Sequence, residues 1–502
     1  MTEEETRDLQ SAFADLQHAF QELKAAYKEL QEQVKEKEQR IEQLESQLLK
    51  EKLRNLELEK RLAKDSHNSS KPPSSDGYRR QGKRREKSQK SRGGQTGHQG
   101  HHLAQVLTPD QVIEHRPLHC QQCHEALPQT AGVVKERRQI HDVPPLRLQV
   151  TEHRLVEQQC PRCGERCQGA FPRGVDAVAQ YGPNIQALAV YLSQFQLLPL
   201  SRITELFADL KLGPLSEGSL VNWVNEAAVL LKPTQETIEG LLLKTRLAHV
   251  DETGGRIEGV LHWFHVLCNH WLTVYHWHRK RGQEAMDAIG LLPKYTGRLL
   301  HDRWKSYDGY SCQHSLCGAH LLRDCLFVAE QEGLQWAQDM HDLLLDLSQL
   351  VSQARETGQQ ALAPDVRNSW VAQYFEVLRL GYQAYQQTHP PPEQTTANKR
   401  GRKKQDPGKN LLDALLNRAE QVLAFVDDFR VPFTNNLAER DLRMIKVQQK
   451  ISGTFRSEAG ATAFCTIRSY LVTMRKQGRS MLDALAAVFQ GSPFPVAWEP
   501  GS

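Results

Sequence analysis

Two stretches far apart in the chain decide how it is read: Ala248-His249-Val250-Asp251-Glu252-Thr253-Gly254-Gly255 and Asn435-Asn436-Leu437-Ala438-Glu439-Arg440-Asp441-Leu442-Arg443. Between them stands Leu299-Leu300-His301-Asp302-Arg303-Trp304. Arg246 to Val250 reads as a strand ending in Asp251, Gly297 to Leu300 as a strand delivering Asp302, and Leu437 opens a helix that carries Glu439. We expect Asp251, Asp302 and Glu439 to meet at one point and hold divalent metal. Hard oxygen ligands suit Mg²⁺, or Mn²⁺ in its place, and paired ions clamp the attacking and leaving oxygens of a phosphoryl transfer. Each acid also has a plainer reading. An Asp after a strand is commonly a turn residue, and Glu439 lies where a capping box with Asn436 as N-cap would place it.

Working outward, Val260 to Leu267 and Trp271 to Trp277 are strand-like runs joined by Cys268-Asn269-His270, and a helix is expected over Gly282 to Ile289. The order β, β, β, α, β with acids at strand ends is what an RNase H-like core needs. Residues 326–430 are strongly helical and interrupt the sheet pattern, with a basic loop at Asn398-Lys-Arg-Gly-Arg-Lys-Lys-Gln405. Past Glu439, the cations Arg440, Arg443, Lys446 and Lys450 recur near one helical turn and would line a phosphate track.

The N-terminus has a different period. Leu9, Phe13, Leu16, Phe20, Leu23, Tyr27, Leu30, Val34, Ile41, Leu44 and Leu48 step by threes and fours, with Lys37 the one break in the series. A seam this narrow predicts a coiled coil and hence a homo-oligomer. The breaker cluster His67-Asn68-Ser69-Ser70-Lys71-Pro72-Pro73 ends that helix. A basic, glycine-rich segment follows, with Arg79, Arg80, Lys83, Arg84 and Arg85 at its start; it cannot bury a core and suits phosphate contact.

Cys120-Gln-Gln-Cys123 and Cys160-Pro-Arg-Cys163-Gly164 are two C-x-x-C knuckles, and together they would complete one closed tetrahedral Zn²⁺ site. Strand-like alternation at Leu146, Leu148 and Val150 makes the unit zinc-ribbon-like. From Gly182 the pattern turns helical. Pro183 to Leu198, Pro199 to Leu210 and a third helix capped by Ser216 and running through Trp223 resemble a helix-turn-helix arrangement.

The 502 residues carry a net charge of +4, too many for one compact unit, and the charge is unevenly distributed. No apolar run approaches the roughly 18 residues of a membrane span, and residues 1–30 lack the apolar core of a signal peptide. These features predict a cytoplasmic protein away from membranes, whose ten cysteines are metal ligands or buried thiols.

The ordered set of motifs resembles the transposases of the insertion-sequence 66 family over nearly the whole chain. It runs Asn68-Ser-Ser-Lys-Pro-Pro-Ser-Ser-Asp76, Gly93-Gly-Gln-Thr-Gly-His-Gln-Gly100, the paired knuckles, His249-Val-Asp-Glu-Thr253, Leu316-Cys-Gly-Ala-His-Leu-Leu-Arg323 and Asn435-Asn-Leu-Ala-Glu-Arg440. The resemblance implies a bacterial enzyme with a DDE-type core of RNase H-like fold, a helical insertion before the Glu, and Asp251, Asp302 and Glu439 as the catalytic triad. His320 and Arg323 would support the acids or contact a phosphate. Many members have Asp-Gly-Tyr at the second acid, and Asp308-Gly309-Tyr310 offers that tripeptide slightly later; Asp302 is preferred because it directly ends a strand. The partners implied are double-stranded DNA, both element ends and target, and accessory transposition proteins, with the enzyme nucleoid-associated when bound. A non-catalytic DNA-binding regulator and an RNase H-like nuclease are the competing readings.

The expected fold is multidomain α/β: an N-terminal coiled coil, a small zinc-ribbon-like module and an RNase H-like core interrupted by a helical insertion. The segments are residues 1–66 coiled coil, 67–108 basic linker, 109–170 zinc module and 171–240 helix-turn-helix-like region. Residues 241–325 form the first part of the core, 326–430 the insertion, 431–460 the helix with the third acid, and 461–502 a C-terminal helical segment.

Overall fold

The heptad-patterned N-terminus forms one helix, α1 (Glu3–Leu62), in a segment free of glycine and proline. Its large apolar side chains Leu16, Phe20, Leu23, Tyr27, Leu30, Val34, Ile41 and Leu44 are all exposed. The computed structural model describes residues 3–65, 68–69, 103–130, 132–144, 146–388 and 405–498. Arg79, Arg80, Lys83, Arg84 and Arg85, and the basic loop from Asn398 to Lys404, lie outside the described residues.

By their contacts the residues group into two units, one of residues 1–77, 231–479 and 495–502, the other of residues 78–230 and 480–494. In the second unit a short antiparallel hairpin, β1 (Glu157–Gln159) and β2 (Arg166–Gln168), flanks the second cysteine knuckle. The strand expected around Leu146, Leu148 and Val150 does not form. All three side chains are exposed, and alternation without a partner strand or a face to bury gives no sheet.

Three helices follow: α2 (Pro183–Val190), continued by a π-turn at Tyr191–Phe195, α3 (Leu200–Asp209) and α4 (Glu217–Leu242). Pro183 sits at the first turn of α2, where its missing N–H costs nothing. Ser216 Oγ accepts from the Ser219 amide at 3.0 Å and starts the third helix as expected, but that helix runs on to Leu242 rather than stopping at Trp223. Ala189, Ile203, Phe207, Leu212, Leu215 and Leu220 form this unit's small core.

The first unit is built on a five-stranded mixed sheet. Its strands are β3 (Leu247–Ile257), β4 (Val260–Cys268), β5 (Thr273–His278), β6 (Arg298–His301) and β7 (Gln313–Leu316), in the order β5-β4-β3-β6-β7. The first three pair antiparallel, while β6 and β7 join parallel to β3. Glu258 and Gly259 link β3 to β4 with φ of 52° and 79°, the two left-handed residues of a tight hairpin turn. Contrary to expectation, β3 does not end at Asp251. Its pairing with β4 continues to Ile257, while its pairing with β6 stops at His249. Asp251 therefore lies within a strand, just where the parallel neighbour gives out.

Helix α5 (Gln283–Ile289) joins β5 to β6, and Val250, Leu267, Val274 and Leu299 pack with Ile238 and Leu242 of α4 and Met286 of α5 on one face of the sheet. After β7 comes a helical block: α6 (Gly318–Glu332), α7 (Gln335–Glu356), α8 (Pro364–Thr388), α9 (Pro407–Asn417) and the single turns α10 (Ala419–Val422) and α11 (Ala424–Asp427). It has its own core around Trp336, Met340, Leu344, Leu347, Tyr374 and Leu412. The block begins at Gly318, earlier than the composition shift near residue 326 suggests. Helices α12 (Asn436–Ser452) and α13 (Glu458–Lys476) then pack on β3, β4 and β5, and α14 (Met481–Phe489) packs on α2. Among the described residues no helix is long and apolar enough to cross a membrane.

Candidate active site

The sheet's register brings two of the three acids level. Leu247 pairs with Arg298, Ala248 with Leu299 and His249 with Leu300. Two residues further along both chains stand Asp251 and Asp302, side by side at the end of the parallel ladder. Asp302 Oδ1 accepts the Trp304 amide at 2.8 Å, which fixes its carboxyl in the turn after β6.

The third acid arrives on the first turn of α12, and one side chain sets where that helix begins. Asn435 is buried; its Nδ2 donates to the Val250 carbonyl at 2.9 Å, and its Oδ1 lies 2.9 Å from His249 Nδ1. With Nδ2 committed as donor, Oδ1 accepts, so His249 carries its proton on Nδ1. Burial holds that imidazole neutral, lowering its pKa to about 4. Asn435 thus staples the start of α12 to the strand segment immediately before Asp251.

The helix begins at Asn436, with Asn435 in the N-cap position and its side chain making no cap bond. The plainer reading of Glu439, a capping box with Asn436 as N-cap, is therefore not met. Instead Glu439 Oε1 is buried with no hydrogen-bond partner.

The electrostatics follow from the crowding. Burial raises the Asp251 pKa well above the usual carboxylate range, and repulsion from Glu252, Asp302 and Glu439 raises it further. Burial likewise raises Asp302. Asp308, the alternative second acid, lies in a short 3₁₀ turn (Lys305–Gly309), is exposed and pairs with Arg418.

Several neighbours escaped the sequence reading. Glu252 is buried, and Arg281 donates to its Oε1 from Nε at 2.8 Å and from Nη2 at 2.6 Å, while the Tyr307 hydroxyl donates to its Oε2. The Arg281 guanidinium also lies over the Trp304 and Trp263 rings, 4.1 and 4.9 Å from their centroids. Glu252 was visible only as the acid beside Asp251; nothing in its local pattern shows that it is buried and paired.

Cys317 is a second junction. Its amide donates to the His301 carbonyl at 2.9 Å, and its Sγ accepts the Asn435 amide at 3.1 Å. It thereby links the end of β6 to the start of α12. Gly318 cannot be larger, because a Cβ there would sit 2.2 Å from the Phe433 ring. His320, one turn on, places Nδ1 3.8 Å from Glu439 Oε1. Burial and the cations Arg323 and Arg303 lower its pKa to about 4. Arg323 is half-buried on α6, and its Nε has no hydrogen-bond partner.

Of the cations on α12, Arg440, Arg443 and Lys450 are exposed, and Lys446 donates its ammonium to the Gly254 carbonyl. The knuckles adopt matching turns. Cys120 N donates to Glu125 O and His124 N to Cys120 O, as Cys160 N donates to Glu165 O and Gly164 N to Cys160 O. His124 (φ 59°) and Gly164 (φ 78°) fill the same left-handed position. In both turns backbone amides lower the pKa of the first cysteine, Cys120 or Cys160. Among the described residues, the three potential ligand atoms found within 4.8 Å of one another are those of Cys317, His320 and Glu439; neither the knuckle sulfurs nor the carboxylates of Asp251 and Asp302 are drawn into such a group.

No curated protein shows significant similarity to the chain. A simian T-cell lymphotropic virus intasome, solved by cryo-electron microscopy in complex with the PP2A regulatory subunit B56 gamma, aligns at 12% identity over 42% of this chain and 80% of its own, with a TM-score of 0.13. A score that low carries no argument about fold or function. Residues 2–104 match a family of unknown function. The pattern described as Transposase IS66 family matches residues 179–463, a span that takes in the whole mixed sheet, the helical block and α12. That match covers more than half of the 502 residues, and the chain belongs to the IS66 family of transposases.

Proposed function

We propose that the protein cuts DNA at the ends of its insertion sequence and joins those ends to a target, using Asp251, Asp302 and Glu439 as a DDE triad on an RNase H-like core. What supports this reading is that the register sets Asp251 level with Asp302, that Asn435 anchors the helix carrying Glu439 to Val250, and that burial, with the charges of Glu252, Asp302 and Glu439, raises Asp251. Such repulsion is what a bound cation relieves. The donor set is all carboxylate oxygen, which fits Mg²⁺ or Mn²⁺. When bound, such ions would activate the attacking oxygen and stabilise the leaving one.

The chain's own residues hold this geometry. Asn435 fixes the approach of α12, the Trp304 amide orients Asp302, and the Arg281–Glu252–Tyr307 cluster packs beside Asp251. Arg440, Arg443 and Lys450 present exposed cations along the helix that carries Glu439, where a phosphate backbone would run. In this reading the two knuckles share one structural Zn²⁺, and the α1 seam pairs copies of the chain. Both features support delivery of DNA ends rather than the chemistry itself.

The test is divalent-metal-dependent nicking of a duplex containing the element end. Asp251→Asn, Asp302→Asn and Glu439→Gln should each abolish detectable cleavage while leaving end binding intact. Asp308→Asn should cut near the wild-type rate. Normal cutting by Asp302→Asn with a dead Asp308→Asn would move the second acid. Normal cutting by Glu439→Gln, or binding without cleavage by the wild type, would favour a DNA-binding regulator.

A further inference from the structure

The geometry points to a second kind of metal site beside the acids: Cys317, His320 and Glu439 form a thiolate–imidazole–carboxylate set that binds one zinc-class ion. The observations are geometric. His320 Nδ1 and Glu439 Oε1 are both buried without a hydrogen-bond partner. They stand 3.8 Å apart, too far to bond each other. A buried polar atom left without a partner costs on the order of 1–3 kcal/mol, and a bound ion would satisfy both at once. An ion at the usual ~2.0–2.2 Å from nitrogen and oxygen spans that separation.

Cys317 Sγ completes the group, since no pair of the three ligand atoms is more than 4.8 Å apart. Around a tetrahedral ion a sulfur and a nitrogen ligand stand about 3.6 Å apart, so the group has to close by about 1 Å at most as the metal enters. Cys317 and His320 share a face across the first turn of α6, as their spacing requires. The Asn435 amide already donates to Sγ, the outer bond that orients a metal-bound thiolate.

The donor set decides the ion. A thiolate and an imidazole select zinc and its borderline-soft neighbours over Mg²⁺, and three protein ligands leave a fourth position open. The consequence for catalysis rests on the triad reading: an ion held here takes Glu439 from the acid cluster. Zinc bound to Cys317 and His320 would then antagonise Mg²⁺-dependent cleavage.

The experiment uses the full chain, equilibrated with Zn²⁺ against a mild chelator in excess Mg²⁺, with bound zinc counted per chain. Wild type should retain one equivalent more than Cys317→Ser or His320→Asn, with circular dichroism and melting confirming that both variants are folded. Glu439→Gln should lose the same equivalent, which covers the case of a misfolded Cys317 variant. With Co²⁺ in place of Zn²⁺, the thiolate-to-metal absorption should fall in Cys317→Ser and persist in part from the knuckles. Zinc inhibition of cleavage should weaken at least about tenfold in both Cys317→Ser and His320→Asn. Equal zinc counts and equal cobalt spectra in wild type and variants would overturn the site. Asp302→Asn separates the two readings: it should keep the extra zinc while losing cleavage. If it cleaves normally, the triad fails but the zinc count still decides this site.

Discussion

Asn435 does more for the site than any acid does for itself. Its amide reaches two groups of β3 at once, the Val250 carbonyl and His249 Nδ1, both at 2.9 Å in a buried setting. Removing the side chain strands an acceptor and a donor where water does not replace it, at about 1–3 kcal/mol each. Asn435→Ala should therefore lower stability by about 2–4 kcal/mol, read as a shift in the urea midpoint. The exposed neighbour Asn436→Ala should stay within about 0.5 kcal/mol. Equal midpoints for the two variants would show that the staple contributes nothing. The same residue explains why the capping reading of Glu439 fails. The side chain at the N-cap position is spent on the sheet, and Glu439 Oε1 is left without a hydrogen-bond partner.

At the scale of elements, α1 stands out among the helices for an apolar seam left exposed along its length. Leu16, Leu23 and Leu30 expose 68%, 68% and 57% of their surfaces along one helix of 60 residues. A helix with an apolar seam and no covering core gains most of its stability by burying that seam against another. The seam has the heptad spacing of a partner helix like itself. Replacing Leu16, Leu23 and Leu30 together by Ser should lower the oligomeric state of the full chain, measured by light scattering at micromolar concentration. An unchanged mass would assign assembly to another surface. The five-stranded sheet contrasts with this: each of its strands contributes buried residues, and β3 is paired on both sides up to His249, leaving Asp251 paired with Val266 of β4.

Across the whole molecule, the two units have separate cores, one around Ile203 and Phe207, the others around Val250 and Leu344. Cores that share no residues can lose structure separately. The knuckle module, nearly all irregular backbone, relies on its turns and on the zinc we propose for it. Changing Cys160 and Cys163 to Ser should release that zinc and abolish amide protection across residues 109–170. Hydrogen exchange in β3, β4 and β6 should not change. Loss of protection in those strands would show that the units fold as one.

The sequence by itself determined what depends on near neighbours. The period of α1, the apolar strands at Val260–Cys268 and Thr273–His278, the knuckle turns and the ordered motifs of the family were all legible, because each is written within a few residues. Leu146 to Val150 shows the limit, since alternation there met no partner strand. Tertiary structure alone decided the rest. It set the register that puts Asp251 level with Asp302, the burial of Glu252 against Arg281 and Tyr307, and the convergence of Cys317, His320 and Glu439. Those outcomes depend on which distant strands pair and where a helix is anchored. A local pattern encodes the period of an element and the face it buries, and leaves open the partner that face will meet.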